Sequence, residues 1–75
     1  SGRNKMSEKE KVGIIMKYND KTRYNLFCKF KSGKEINTKC YKTTGIYFNL
    51  LEIERYSLEN NDKIELIKII PIEEV

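Results

Sequence analysis

The sequence predicts a small α+β domain: a three-stranded antiparallel meander, then one helix, then a fourth strand. Three observations carry that prediction. The stretch "KTRYNLFCKF" alternates with a period of two, the period lengthens to that of a helix after residue 43, and "KIELIKIIPI" returns to a dense β-branched run. At 75 residues the chain forms one domain, taken as residues 11–75, and a domain this size buries only about 60% of its unfolded surface. A hydrophobic fraction of 39% with three Phe and five Tyr is too apolar for intrinsic disorder. Residues 1–10, beginning "SGRNKM", read as a disordered leader or a cloning scar, with Met6 as a plausible native start, and are set outside the fold.

The first predicted strand is residues 11–18, "KVGIIMKY", with Val12, Ile14, Met16 and Tyr18 on one face and "NDK" following as a turn. The second is residues 22–31, with Tyr24, Leu26, Cys28 and Phe30 on one face and Arg23, Asn25, Phe27 and Lys29 on the other. After "KSG" the third places Ile36, Thr38 and Cys40 opposite Glu35, Asn37, Lys39 and Tyr41. Paired antiparallel residues share a face, so loops of odd length are required, and both three-residue loops satisfy this. Gly33 takes the third loop position, where a left-handed conformation is wanted. Paired residue numbers then sum to 40 across the first hairpin, setting Val12 beside Cys28 and Ile14 beside Leu26. Across the second they sum to 64, setting Tyr24 beside Cys40 and Leu26 beside Thr38.

From Thr43 the apolar residues Tyr47, Leu50, Leu51 and Leu58 form a helical stripe, with Asn49, Glu52, Arg55 and Glu59 opposing it. Thr43 or Thr44 supplies the N-cap, Arg55 reaches Glu52 and Glu59, and Asn60 with Asn61 stops the helix. Its "GIYFN" segment is equally suited to a strand. The alternative is therefore an all-β five-stranded barrel of the OB or SH3-like kind, with residues 46–58 in strands. In the last strand Ile64 and Leu66 begin on one face while Ile67 and Ile69 are apolar on the other, which requires burial on both sides or a bulge near Leu66. Pro71 belongs at a strand end or edge, and "EEV" reads as a frayed tail.

Charge is unevenly spread. Residues 1–44 hold twelve Lys and Arg against four acids, net +8; residues 45–75 hold three against seven, net −4. On the predicted sheet, Lys17, Arg23, Lys29, Lys31, Lys39 and Lys42 decorate one side and Phe27 and Tyr41 stand among them. Cations that follow a phosphate backbone and rings that stack bases are what single-stranded nucleic acid requires. The sequence therefore points to a non-enzymatic nucleic-acid-binding module, for DNA or RNA, with Lys17, Arg23, Phe27, Lys29, Lys31, Lys39 and Tyr41 as its binding residues. The alternative is a protein-binding inhibitor or adaptor that uses the same face on an acidic protein surface, alone or as a homodimer. It starts from Ile15, Phe27 and Ile67 or Ile69 as an apolar patch with a lysine rim. The structural reading of Phe27 is that its ring covers Gly13 across the sheet.

Catalysis and metal binding find little support. The chain has no His, and its two cysteines lie twelve positions apart. Cys28 and Cys40 read as small buried hydrophobes rather than a disulfide, because the register sets Tyr24, not Cys28, beside Cys40. Glu52, Glu54 and Glu59 read as a solvated helix face, and no cofactor is implied. No run approaches the roughly 18 apolar residues of a membrane helix, so a cytoplasmic protein is expected. "SGKEINTK", a helix and "NNDKIELI" together resemble the second half of the histidine-containing phosphocarrier proteins over about half the chain. Those proteins act through a phosphorylatable histidine, which this chain lacks, and nothing of their function carries over.

Overall fold

Ser7 and Glu10 begin the structure differently from the alternation that follows them. The Ser7 hydroxyl accepts the Glu10 N–H at 3.1 Å and a Glu10 carboxylate oxygen accepts the Ser7 N–H at 3.2 Å, a reciprocal capping box. Glu8 and Glu10 add negative charge to the first turn, where the helix dipole favours it. The result is helix α1, Glu8–Ile15, in the place of the predicted first strand. The register that set Val12 beside Cys28 does not occur. Gly13 lies in α1 with open space around it, so it is not what Phe27 covers.

The computed structural model describes residues 2–72, so the frayed tail expected for 73–75 lies outside the described residues. After α1 come β1 (Arg23–Phe30), β2 (Glu35–Tyr41), α2 (Lys42–Asn60) and β3 (Ile64–Ile72). The α+β class holds. The sheet has three strands in the order β2-β1-β3, all antiparallel, and β3 occupies the place beside β1 that the first predicted strand would have taken. Helix α2 runs through residues 46–58, which removes the barrel alternative.

The β1–β2 hairpin follows the predicted register, with Tyr24 opposite Cys40 and Leu26 opposite Thr38. Phe30 and Lys34 close a three-residue loop in which Gly33 has φ 98°. A side chain there would be strained, which is why glycine occupies it. In β3 the register slips: Lys29 faces Leu66 but Phe30 faces Ile64, leaving Glu65 as the extra residue of a bulge. The slip inverts parity. Ile64, Ile67 and Ile69 all turn toward the core, although their spacing in sequence does not alternate. Pro71 sits on this edge strand opposite Tyr24.

The core lies between the sheet and the helices. Tyr24, Leu26, Cys28 and Phe30 of β1 are buried against Ile46, Leu50 and Ile53 of α2. The buried side of α2 is Ile46, Leu50, Ile53, Glu54 and Ser57, rotated from the predicted stripe, so Leu51 and Leu58 are exposed instead. The helix ends as expected at Asn61, in the left-handed conformation. It begins without a side-chain cap of its own: Asp20 accepts the Thr43 N–H at 2.7 Å and the Thr43 hydroxyl at 2.8 Å. Those two bonds hold the Asp20 carboxyl below its ordinary range.

Residues 2–10 belong to the packed structure and not to a separate leader. Met6 is buried in the core, and Arg3 bridges to Ile64 in backbone hydrogen bonds of 3.2 and 2.7 Å. Glu54, predicted to be solvated, is buried. One of its oxygens takes Lys11 Nζ at 2.6 Å, and the other takes the Met6 N–H at 2.6 Å. Lys11 also reaches Glu8 at 3.0 Å, and Tyr47 donates its hydroxyl to Glu8 at 2.6 Å. This network fastens α1 to α2 in place of the many apolar contacts that a longer helix would make. Elsewhere Asp62 accepts the Ser32 N–H at 3.0 Å, fixing the hairpin loop to the end of α2.

Cys28 and Cys40 are free and buried. Burial, with the Asp62 charge adding to it, pushes the Cys28 thiol up to about 11, and burial alone raises Cys40. Since the thiolate is the reactive form, neither cysteine is expected to react with iodoacetamide at pH 7.5 in the folded protein. Both should be alkylated in 6 M guanidinium chloride, as counted by intact-mass measurement. Labelling of either at the same rate in both solvents would contradict their burial.

Candidate nucleic-acid interface

The helices cover one face of the sheet, and among the described residues no element lies over the other. Because side chains alternate across a strand, the odd-numbered residues of β1 and β2 line that open face, joined after the bulge by the even-numbered residues of β3. Four cross-strand rows result: Tyr41, Arg23, Ile72; then Lys39, Asn25, Ile70; then Asn37, Phe27, Lys68; then Glu35, Lys29, Leu66. By strand geometry the plate is about 20 Å long and about 10 Å wide.

Five of the predicted binding residues share this plate: Arg23, Phe27, Lys29, Lys39 and Tyr41. Lys31 is exposed in the hairpin loop at the end of the plate where Lys29 lies. Lys17 is not part of it. With the first strand replaced by a helix, Lys17 sits in the turn leaving α1, and its neighbour Tyr18 packs edge-on against Tyr24 on the core side at 4.8 Å between ring centroids. The expected neighbours Arg23 and Tyr41 are therefore out of its company. Lys42, exposed at the β2–α2 junction, has φ 66°.

The structure adds Lys68, which stands beside Phe27 on the opposite side from Asn37. Alternation alone hid it: without the bulge at Glu65, the even positions of β3 would be counted on the core side. Within the four rows the charged residues are Arg23, Lys29, Lys39 and Lys68 against the single acid Glu35, which lies directly across from Lys29. The layer behind carries Glu8, Glu52 and Glu59, with Arg55 between the latter two at 3.7 and 3.6 Å.

Two rings are presented differently. Tyr41 is 61% exposed at one corner, next to Arg23. Phe27 is half-buried at the centre, held between its cross-strand neighbours. The apolar residues Ile70 and Leu66 are also exposed here. A plate of this composition can attract an anionic chain at long range and hold planar groups at short range.

Among the described residues, no three His, Cys, Asp or Glu side chains gather as metal ligands, and no helix is long and apolar enough to cross a membrane. No family model, curated protein or solved structure matches the chain.

Proposed function

We propose that the protein binds single-stranded nucleic acid, DNA or RNA, on the open face of its sheet, as a non-enzymatic module in the cytoplasm. One observation carries the reading: Arg23, Lys29, Lys39 and Lys68, contributed by all three strands, surround Phe27 and Tyr41 on a face that neither helix covers. The cations would track phosphates while Tyr41 and Phe27 stack bases, Tyr41 beside the guanidinium of Arg23. Lys31 extends the basic surface past the hairpin; Lys17 has no part in it. Buried free thiols suit a reducing compartment.

The test is fluorescence anisotropy with labelled single-stranded DNA and RNA oligonucleotides at 50 and 200 mM salt. Four phosphate contacts on a single strand imply a fall in affinity of about fiftyfold between these concentrations. Failure of both oligonucleotides to bind at 50 mM salt would end the proposal. Phe27→Ala should weaken binding by about tenfold, within the range measured for one stacked base, and leave the salt dependence unaltered.

A second reading draws on the exposure of Ile70 and Leu66 within the same plate. Apolar side chains ringed by cations also suit an acidic protein surface, as an inhibitor or adaptor would engage it. In that case Phe27→Ala and Ile70→Ser would abolish capture of the protein target, and oligonucleotides would not compete.

A further inference from the structure

Of the eight large apolar side chains that stand exposed among the described residues, five lie on the helix layer and not on the sheet. Val12 and Met16 belong to α1 and its C-cap, and the other three, Phe48, Leu51 and Leu58, belong to α2, at 62%, 38% and 57% exposure. With Arg55 they follow a 3-4-3 spacing, which keeps all four in one stripe along α2, turned away from the buried Ile46, Leu50 and Ile53. A soluble monomer rarely leaves so continuous an apolar stripe in water.

The surroundings of the stripe offer what a second copy of it would need. Near its Phe48 end an apolar cleft opens between α1 and α2, lined by Val12, Ile15 and Tyr47. Near its other end a second cleft lies beside Leu51 and Leu58. Arg55 stands between Glu52 and Glu59 at 3.7 and 3.6 Å, loose enough to exchange either for another carboxylate. A two-fold axis at the middle of the stripe would set Phe48 of one copy into the Leu51–Leu58 cleft of the other. Leu58 would meet the Val12 cleft, and Arg55 would meet Glu52 of the second copy. One rotation would thus bring Phe48 to a cleft with leucines in its wall and charged residues at its rim, and would pair opposite charges, as an isologous interface requires.

We propose that the chain forms a homodimer through antiparallel packing of its two α2 helices. The open sheet faces then point outward on opposite sides, independent of what they bind. Sedimentation equilibrium on the full chain between 10 and 500 μM tests this. The expected mass approaches twice the 8.9 kDa of the chain at the upper concentrations. Leu58→Glu should return it to a single chain with an unchanged far-ultraviolet circular dichroism spectrum. Arg55→Glu should weaken association at least tenfold, and adding Glu52→Arg should restore it, a recovery that loss of folding could not produce. A wild-type mass of 8.9 kDa throughout would overturn the proposal and leave the stripe to a different protein. Dimers that persist in Leu58→Glu, or an Arg55→Glu defect that Glu52→Arg does not repair, would overturn it too.

Discussion

Replacing Glu54 by alanine will lower the unfolding free energy by about 3 kcal/mol, because it strands a buried ammonium. Lys11 is buried and depends on Glu54 at 2.6 Å and Glu8 at 3.0 Å. Removing Glu54 also leaves the Met6 N–H without its acceptor. In a small domain with about 5 kcal/mol of stability, such a loss is most of the total. Lys11→Ala should be comparably damaging, since it strands Glu54. The double variant Lys11→Met, Glu54→Leu should recover much of the deficit, because an apolar pair of similar volume needs no desolvation of charge. Urea denaturation at pH 7 measures all three. If Glu54→Ala unfolds within 0.5 M urea of wild type, the network does not anchor α1.

The same residues set the pH dependence. The hydrogen bonds that Lys11 donates to Glu54 and then to Glu8 raise its pKa, so its contribution is complete below the ordinary lysine value of 10.5 and fades as pH rises beyond it. Glu8 is held down chiefly by the Tyr47 hydroxyl, and Glu10 chiefly by Arg3. Their contributions are present above the ordinary value of 4.5 and are lost as pH falls below it. Stability should therefore be level across neutral pH and decline at both extremes.

Reversing Arg23 and Lys39 together to glutamate should weaken oligonucleotide binding by about a hundredfold at 50 mM salt and cut the salt slope by about two units. Both lie in adjacent rows on the plate, at the end that carries Tyr41. Lys17→Glu makes the same formal charge change as Lys39→Glu alone, but in a turn outside the plate, and should change affinity less than threefold. Equal losses from Lys17 and Lys39 would mean that net charge, not the face, governs binding. Anisotropy titrations of the variants at two salt concentrations separate the two cases.

Much of the sheet was legible because its signals are local. The parity of "KTRYNLFCKF", the odd loop and Gly33 together specify the β1–β2 register, and the Asn61 stop of α2 is equally plain. The first element misled because Val12, Ile14 and Met16 alternate, whereas the decisive signal, Ser7 paired with Glu10, lay in the segment set aside as a leader. Helical spacing was present as well: Lys11, Ile14, Ile15 and Tyr18 fall on one face. What decides between the two periods is Glu54, 43 positions from Lys11, and no local pattern reports such a partner. Lys68 was missed for a related reason. The apolar positions of β3 demanded either two buried faces or a bulge, and only the pairing with β1 shows the bulge at Glu65 and thus which face Lys68 joins. Five of seven predicted binding residues nevertheless gather on the plate, because all five sit at odd positions of the β1–β2 pair, whose register the sequence specifies unaided.

The most direct test of the open sheet face as the binding surface is to map amide chemical-shift changes while a short single-stranded oligonucleotide is added. The expected changes concentrate at Arg23, Asn25, Phe27 and Lys29, at Lys39 and Tyr41, and at Lys68, leaving α1 and the outward side of α2 unmoved. Shifts confined to the helices, or spread evenly over every lysine of the molecule, would contradict it.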